Sequence, residues 1–530
     1  MFFWGFFAVV LLGYSFIYKT SKARSIYLLL FSFFFYYKTN GVFITLLFFT
    51  IVSDFIWGKK IHSSQHPALK RLYLTISILL NLSLLCYFKY AYFFTSSTNE
   101  LLGTQFSYFN HFASFSNTFF GTEFRLDKLL TPIGVSFFTF QSLSYTIDVY
   151  RGKVEPVTSV FDYGFFVCFF PHLVAGPIVK ANEFLYQIYQ PYSLSKTEFG
   201  LSVFWIMNGF SKKIIADYIA VNFIDRVFSS PHLYTGLESV MAIFSYSLQV
   251  YMDFSGYTDM AIGIALLLGY RLKTNFKSPY KALSTSEFWK RWHISLSSWL
   301  QEYLYIPLGG NRSGSPGSYI CMALISVFMV LLSGKLWLLY FLAGCFLLII
   351  FFSLIFPAFK KQVDTNINLM VTMLLGGLWH GSSWLFLIWG GLNGLGLIIH
   401  KWWQKISPFK QTTNVAVKAF LLLLTLSFIS FTRIYFRSPS LEIVDEIYDR
   451  IWNHFSLYLF IDIVKGYWFV LSVVLAGFLI HWIPENVKEK YRQKFAALPV
   501  HWMIITCMII VFAMYQFMSG EMQPFIYFQF

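Results

Sequence analysis

The chain has 530 residues, of which 57% are hydrophobic and only 12% charged, with 64 Phe, 34 Tyr and 16 Trp. Soluble domains carry about 25% charged residues, so this composition cannot coat a water-soluble surface and excludes nucleic-acid-binding, secreted-scaffold and disordered classes. The net charge of +15 fits short cytoplasmic loops rich in Lys and Arg, which the positive-inside rule expects of a polytopic membrane protein.

The first apolar stretch, Met1 to Tyr18, precedes its first positive charges, Lys19, Lys22 and Arg24. A cleavable signal peptide has the reverse order, so this reads as a retained span with its N-terminus outside. A helix needs about 20 apolar residues to cross a bilayer. Candidate spans follow at 26–57 (two, broken at Lys38–Gly41), 72–95, 131–149, 161–179, 200–224 and 239–269. Others lie at 319–333, 336–356, 366–400 (two), 414–436, 463–483 and 500–518. About twelve crossings are expected, with some segments re-entrant or interfacial, in one membrane domain over residues 1–530. The Lys59–Arg71 loop and the basic Glu485–Lys494 segment belong inside. The stretch from Thr95 to Leu130 reads as a long outer loop, and residues 519–530 as an extracytoplasmic tail. Both termini are therefore placed outside.

The segment Ser284–Tyr305 differs from a span. Ser284 and Glu287 have capping-box spacing. Trp289, Trp292, Leu296, Trp299 and Tyr303 recur at three- and four-residue steps, so an amphipathic helix lying in or dipping into the interface is expected, with His293 on its aromatic side.

Ionisable groups at membrane depth are functional candidates by default. His380, in the run Leu374–Trp384, is the foremost of eleven histidines, with Gly376, Gly377 and Gly381 allowing close backbone approach; Trp379 precedes it. His172, between Pro171 and Pro177, marks a broken span and reads mainly as structural. Asp253 and Asp259 are carboxylates in an apolar run, suited to holding a helix break or positioning a loop. His62, His66, His454 and His501 read as surface or anchoring residues. The five cysteines show neither paired nor clustered spacing, so no metal site or disulfide framework is expected. Walker A, HExxH and GxSxG motifs are missing, which argues against an ATP-driven pump, an intramembrane zinc protease and a serine hydrolase.

The runs Phe288–Trp299, Tyr303–Gly310 and Gly377–Trp384, joined by Phe169–Ile178 and Tyr251–Ala261, together resemble the membrane-bound O-acyltransferase family, in its bacterial alginate O-acetylation branch. The resemblance covers about residues 130–400 and implies an all-α fold of membrane helices around a central tunnel. It implies His380 as the catalytic base and His293 as a second catalytic group, with Trp379, Asp253, His172 and Trp289 in support. The implied reaction moves an acyl group, acetyl preferred, from a cytoplasmic thioester, acetyl-CoA or an acyl carrier protein, toward an extracytoplasmic polysaccharide. An SGNH-type acyltransferase is the implied partner in a bacterial inner membrane, with no bound cofactor, metal or nucleic acid. D-alanyl or other acyl transfer to teichoic acid, peptidoglycan or lipid is the alternative within the enzyme class. A polysaccharide-precursor transporter is the alternative outside it, although no duplicated Trp-His element supports internal repeats. The ending Pro524–Phe530 resembles a C-terminal Phe-Ile-Tyr motif of such systems, and implies Tyr527 as an acyl relay.

Overall fold

The computed structural model describes residues 2–126, 131–333, 336–409, 412–518 and 523–526, and every regular element among them is helical. They pack as two units, Met1–Tyr192 with Trp299–Thr372, and Ser193–Ser298 with Met373–Phe530. Among the described residues, four helical stretches are long and apolar enough to cross a membrane, or six if each of two sharply bent helix pairs is one span. The helices Val415–Arg437 and Trp337–Ile355 are of this type.

In the first unit, Ser21–Asn40 and Ile44–Ser63 are separated at Gly41–Phe43, where Gly41 takes a positive φ of 56°. This is the break expected at Lys38–Gly41. The stretch read as an outer loop after Thr95 instead carries helix: Ala91–Leu102 runs into it, and His111–Phe120 lies within it, capped by Asn110. Its Phe content supplies apolar faces that a polar-loop reading undervalues. Asp54 is fully buried and accepts hydrogen bonds from Ser77 Oγ at 2.7 Å and Asn81 Nδ2 at 2.8 Å. A carboxylate that deep is tolerable only with such donors.

In the second unit, Lys196–Ile219 and Gly236–Leu267 each begin with a complete capping box, Ser195/Glu198 and Thr235/Glu238. Each box satisfies N-terminal amides that would otherwise lack partners. Asp253 and Asp259 do not mark a break, because Gly236–Leu267 is one uninterrupted helix. Lysines on the adjacent helix pair with them: Lys213 with Asp253 at 2.7 Å and Lys212 with Asp259 at 2.6 Å. Their charges are met sideways, so the helix has no need to open.

Candidate active site

His380 is the last residue of Pro357–His380, and Trp384–Ile406 starts four residues later with Ser383 as its cap. The two helices cross closely. A Cβ on Gly377 would lie 2.3 Å from the Phe386 carbonyl oxygen, and one on Gly390 would lie 2.5 Å from that of Met373. Only glycine permits this approach, and the approach fixes where His380 points. Its ring, 5% exposed, is walled by Trp379, Trp389 and Phe436, with centroids at 5.0, 5.2 and 5.4 Å.

Another ring beside it is His293, at 6.2 Å. His293 is fully buried, and packs edge-on against Phe254 at 4.7 Å and near Trp379 at 5.8 Å. The sequence expectation of one helix from Ser284 to Tyr305 is corrected here. Thr285–Trp289 ends early, His293 adopts a φ of +43°, Ile294–Leu300 follows, and a π-helical turn closes the segment at Gln301–Tyr305. Half of the expected capping box is present: Glu287 N–H donates to Ser284 Oγ at 3.2 Å, while the Glu287 carboxylate accepts from Leu283 N–H at 2.9 Å rather than from the Ser284 amide. The interruption is held from the 275–277 segment. Lys277 N–H donates to Arg291 O, Ile294 N–H to Asn275 O, both at 2.9 Å, and Ser295 N–H to Asn275 Oδ1 at 3.1 Å. A left-handed non-glycine residue costs on the order of 1–3 kcal/mol and persists where its surroundings over-determine it. Here two main-chain bonds and one to the Asn275 side chain flank it.

Trp289 packs on Trp389 at 5.8 Å, which in turn packs on His380, so it acts one ring removed from the pair. Asp253 neighbours Phe254, the ring under His293, and is held by Lys213. His172 belongs to the first unit. Its Nε2 makes a 3.0 Å hydrogen bond with Phe166 O, and Phe169 and Phe184 each cover it at 5.5 Å. Tyr527 lies outside the described residues.

Two buried groups near the pair were not singled out in the sequence. The Arg433 guanidinium lies over the Trp292 ring at 4.3 Å and donates to Tyr280 Oη, and His481 Nε2 accepts from Tyr280 N at 3.1 Å. Arg433 had a signal, since it is a cation inside the apolar run 414–436; His481 had the weaker one of lying at a span's end.

The geometry is thus two imidazoles with ring centroids 6.2 Å apart and planes tilted by 59°, in an aromatic box, on elements fixed by a glycine crossing and a helix interruption. Comparison with known proteins agrees with the motif reading. The sequence model of the membrane-bound O-acyltransferase family matches residues 68–367, a match that ends before His380. The chain is 32% identical over 471 residues to a peptidoglycan O-acetyltransferase of Helicobacter pylori, covering 83% of this chain and 77% of that one. It is 35% identical over 384 residues to the probable alginate O-acetylase AlgI of Pseudomonas aeruginosa, covering 72% of this chain but 61% of the relative's length. A teichoic acid D-alanyltransferase of Bacillus subtilis is 23% identical over 283 residues, 52% of this chain and 60% of that one. The chain is a multi-pass membrane O-acyltransferase that belongs to the membrane-bound O-acyltransferase family, of the alginate O-acetylation type.

Proposed function

We propose that this enzyme moves an acetyl group from a cytoplasmic thioester, acetyl-CoA or an acyl-carrier-protein thioester, for O-acetylation of an extracytoplasmic polysaccharide. The observation that carries this reading is the apposition of His380 and His293 within one aromatic box. An apolar cage favours the uncharged form of an imidazole, the form able to accept a proton. In this reading His380 takes the proton of the attacking hydroxyl. The hydroxyl oxygen bonds to the thioester carbonyl carbon, the C–S bond breaks, and the proton passes to the departing thiolate. His293, one small group away, donates to the carbonyl oxygen as charge develops there, a contact worth more in a dry site than in water. The aromatic walls of Trp379, Trp389 and Phe436 exclude the water that would hydrolyse the thioester.

The first acceptor in this scheme is the Tyr527 phenol, whose aryl ester is activated enough to pass the acetyl group to an extracytoplasmic SGNH-type partner and then to the polysaccharide. Both termini are placed on the outer face of a bacterial inner membrane, as the loop charges indicate. Peptidoglycan and alginate are the acceptors named by the relatives above and head the candidates; teichoic acid follows from the more distant one. The test is purified protein in detergent with acetyl-labelled CoA thioester. Wild type is expected to release CoA and retain label, Tyr527→Phe to lose the retained label, and His380→Ala to do neither. CoA release by a well-folded His380→Ala protein at the wild-type rate overturns the reading.

A further inference from the structure

The second unit holds another buried polar cluster, on Lys196–Ile219 and Gly236–Leu267. Lys213 Nζ donates to Asp217 Oδ1 at 2.8 Å and to Asp253 Oδ1 at 2.7 Å, and the Lys213 and Asp253 side chains are 7% and 3% exposed. Burying such ions costs several kcal/mol each unless every lone pair and proton is met. One ammonium cannot meet both carboxylates in full, because a carboxylate has about four acceptor sites. The 523–526 segment supplies what is missing. Ile526 N–H donates to Asp253 Oδ2 at 2.9 Å, and Pro524 O accepts from Lys213 Nζ at 3.4 Å. Between these two bonds the Phe525 ring lies under Lys213 Nζ at 4.5 Å and edge-on to Tyr257 at 4.9 Å, one turn along from Asp253. Ile526 itself is buried in the apolar cluster that includes Trp389 and Phe436, two walls of the His380 box.

We infer that Lys213 and Asp253 form a peptide-binding clamp that grips residues 524–526 by their main chain and thereby sets the register of the residue that follows. The grip is on a carbonyl and an amide two residues apart, so it reads backbone rather than side-chain identity; the Phe525 pocket adds the sequence preference. Hydrogen bonds to charged groups are the strong ones, roughly twice the neutral kind, which suits them to hold a short segment. Lys213 and Asp253 are positioning residues and do not touch the transferred group. That the clamp serves delivery of Tyr527 rests on the acyl-relay reading above; the clamp itself does not.

Hydrogen–deuterium exchange of the full chain in detergent, read by mass spectrometry on the peptide containing Ile526, tests it. The Ile526 amide is expected to exchange at least about tenfold more slowly than in the free peptide, and Asp253→Ala or Lys213→Gln to bring it within about twofold of the free rate. Exchange across the Val135–Tyr150 helix serves as the folding control. If Asp253→Ala does not fold, Asp253→Asn, which keeps an oxygen but removes the charge, is expected to speed the same amide severalfold. A wild-type Ile526 amide at the free rate, or full protection in folded variants of both residues, overturns the clamp. His380→Ala is expected to leave the protection unchanged, so a failed acyl-transfer reading and a failed clamp give different results.

Discussion

His172 and His380 invite comparison, because each is buried, each sits where a helix breaks beside glycine, and each is ringed by aromatic side chains. Their surroundings differ in what lines the ring. At His172 the ring faces two phenylalanines, its Nε2 is engaged by the Phe166 carbonyl, and a Cβ on Gly176 would lie 2.4 Å from its own Cα, so the turn is closed around it. At His380 one wall of the box is a second imidazole. Burial and an aromatic neighbourhood therefore do not distinguish a structural histidine from a candidate base. A second imidazole in the same aromatic box does.

The largest effect expected from this contrast is on turnover. His380→Ala should lower acyl transfer by about 10²–10⁴-fold, the usual contribution of a positioned base, with an unchanged melting profile. His172→Ala should do the opposite. It leaves the Phe166 carbonyl without its buried donor at a cost of about 1–3 kcal/mol, read as a lower melting temperature while turnover per folded molecule holds. If His172→Ala abolishes turnover in a protein of normal stability, the contrast is wrong.

His293 sharpens the comparison, since it carries both a reactive ring and an unfavourable backbone. His293→Ala should cut turnover more than tenfold, whereas an effect within about twofold would make it a packing residue. His293→Gly separates the two properties. It relieves the positive φ, so melting should hold up better than in the alanine variant while turnover falls as far.

Gly377→Ala comes next, because the added methyl meets the Phe386 carbonyl rather than a flexible side chain. Overpacking of this kind costs about 1–3 kcal/mol, and it should displace His380 enough to lower turnover beyond what the lost stability explains. A variant with wild-type melting and turnover would show that the crossing can relax.

The smallest effect belongs to the first unit, at Glu302. Burial alone would raise its carboxyl, but hydrogen bonds from Lys153 and from Lys180, the latter at 2.9 Å, outweigh it and hold the group at about 2. Because the folded value is depressed below the usual 4.5, its stabilising contribution is complete above that pH. It is lost as pH falls toward 2. Glu302→Gln should therefore lower the melting temperature slightly at neutral pH and lose that difference in acid. A gap that persists undiminished at low pH would assign the effect to packing.

The membrane class was legible because composition is a bulk property, and the breaks near residues 41, 170 and 381 were legible because proline and glycine act locally. What the sequence hid were features set by partners distant along the chain. Nothing in the periodicity of Trp289, Trp292, Leu296 and Trp299 reveals that residues 275–277 pair with 291–294 and force His293 out of the helix. Likewise Asp253 and Asp259 read as a disruption, since the lysines that neutralise them lie 40 and 47 residues upstream, on the neighbouring helix. The apposition of His293 and His380 entered through motif resemblance, and their spacing along the chain carries no trace of it.

The helix interruption has a consequence for how the site is assembled in time. Its bonds join residues no more than 20 apart along the chain, from Asn275 to Ser295, so the contorted backbone at His293 can close as soon as that stretch leaves the ribosome. His380 arrives only after residues 299–372, which belong to the other unit, have been made. Contacts closed across so long an excursion form late and slowly. A nascent chain thus completes one half of the histidine pair well before the other, and the reactive pair comes into being only after residues 299–372 have been made.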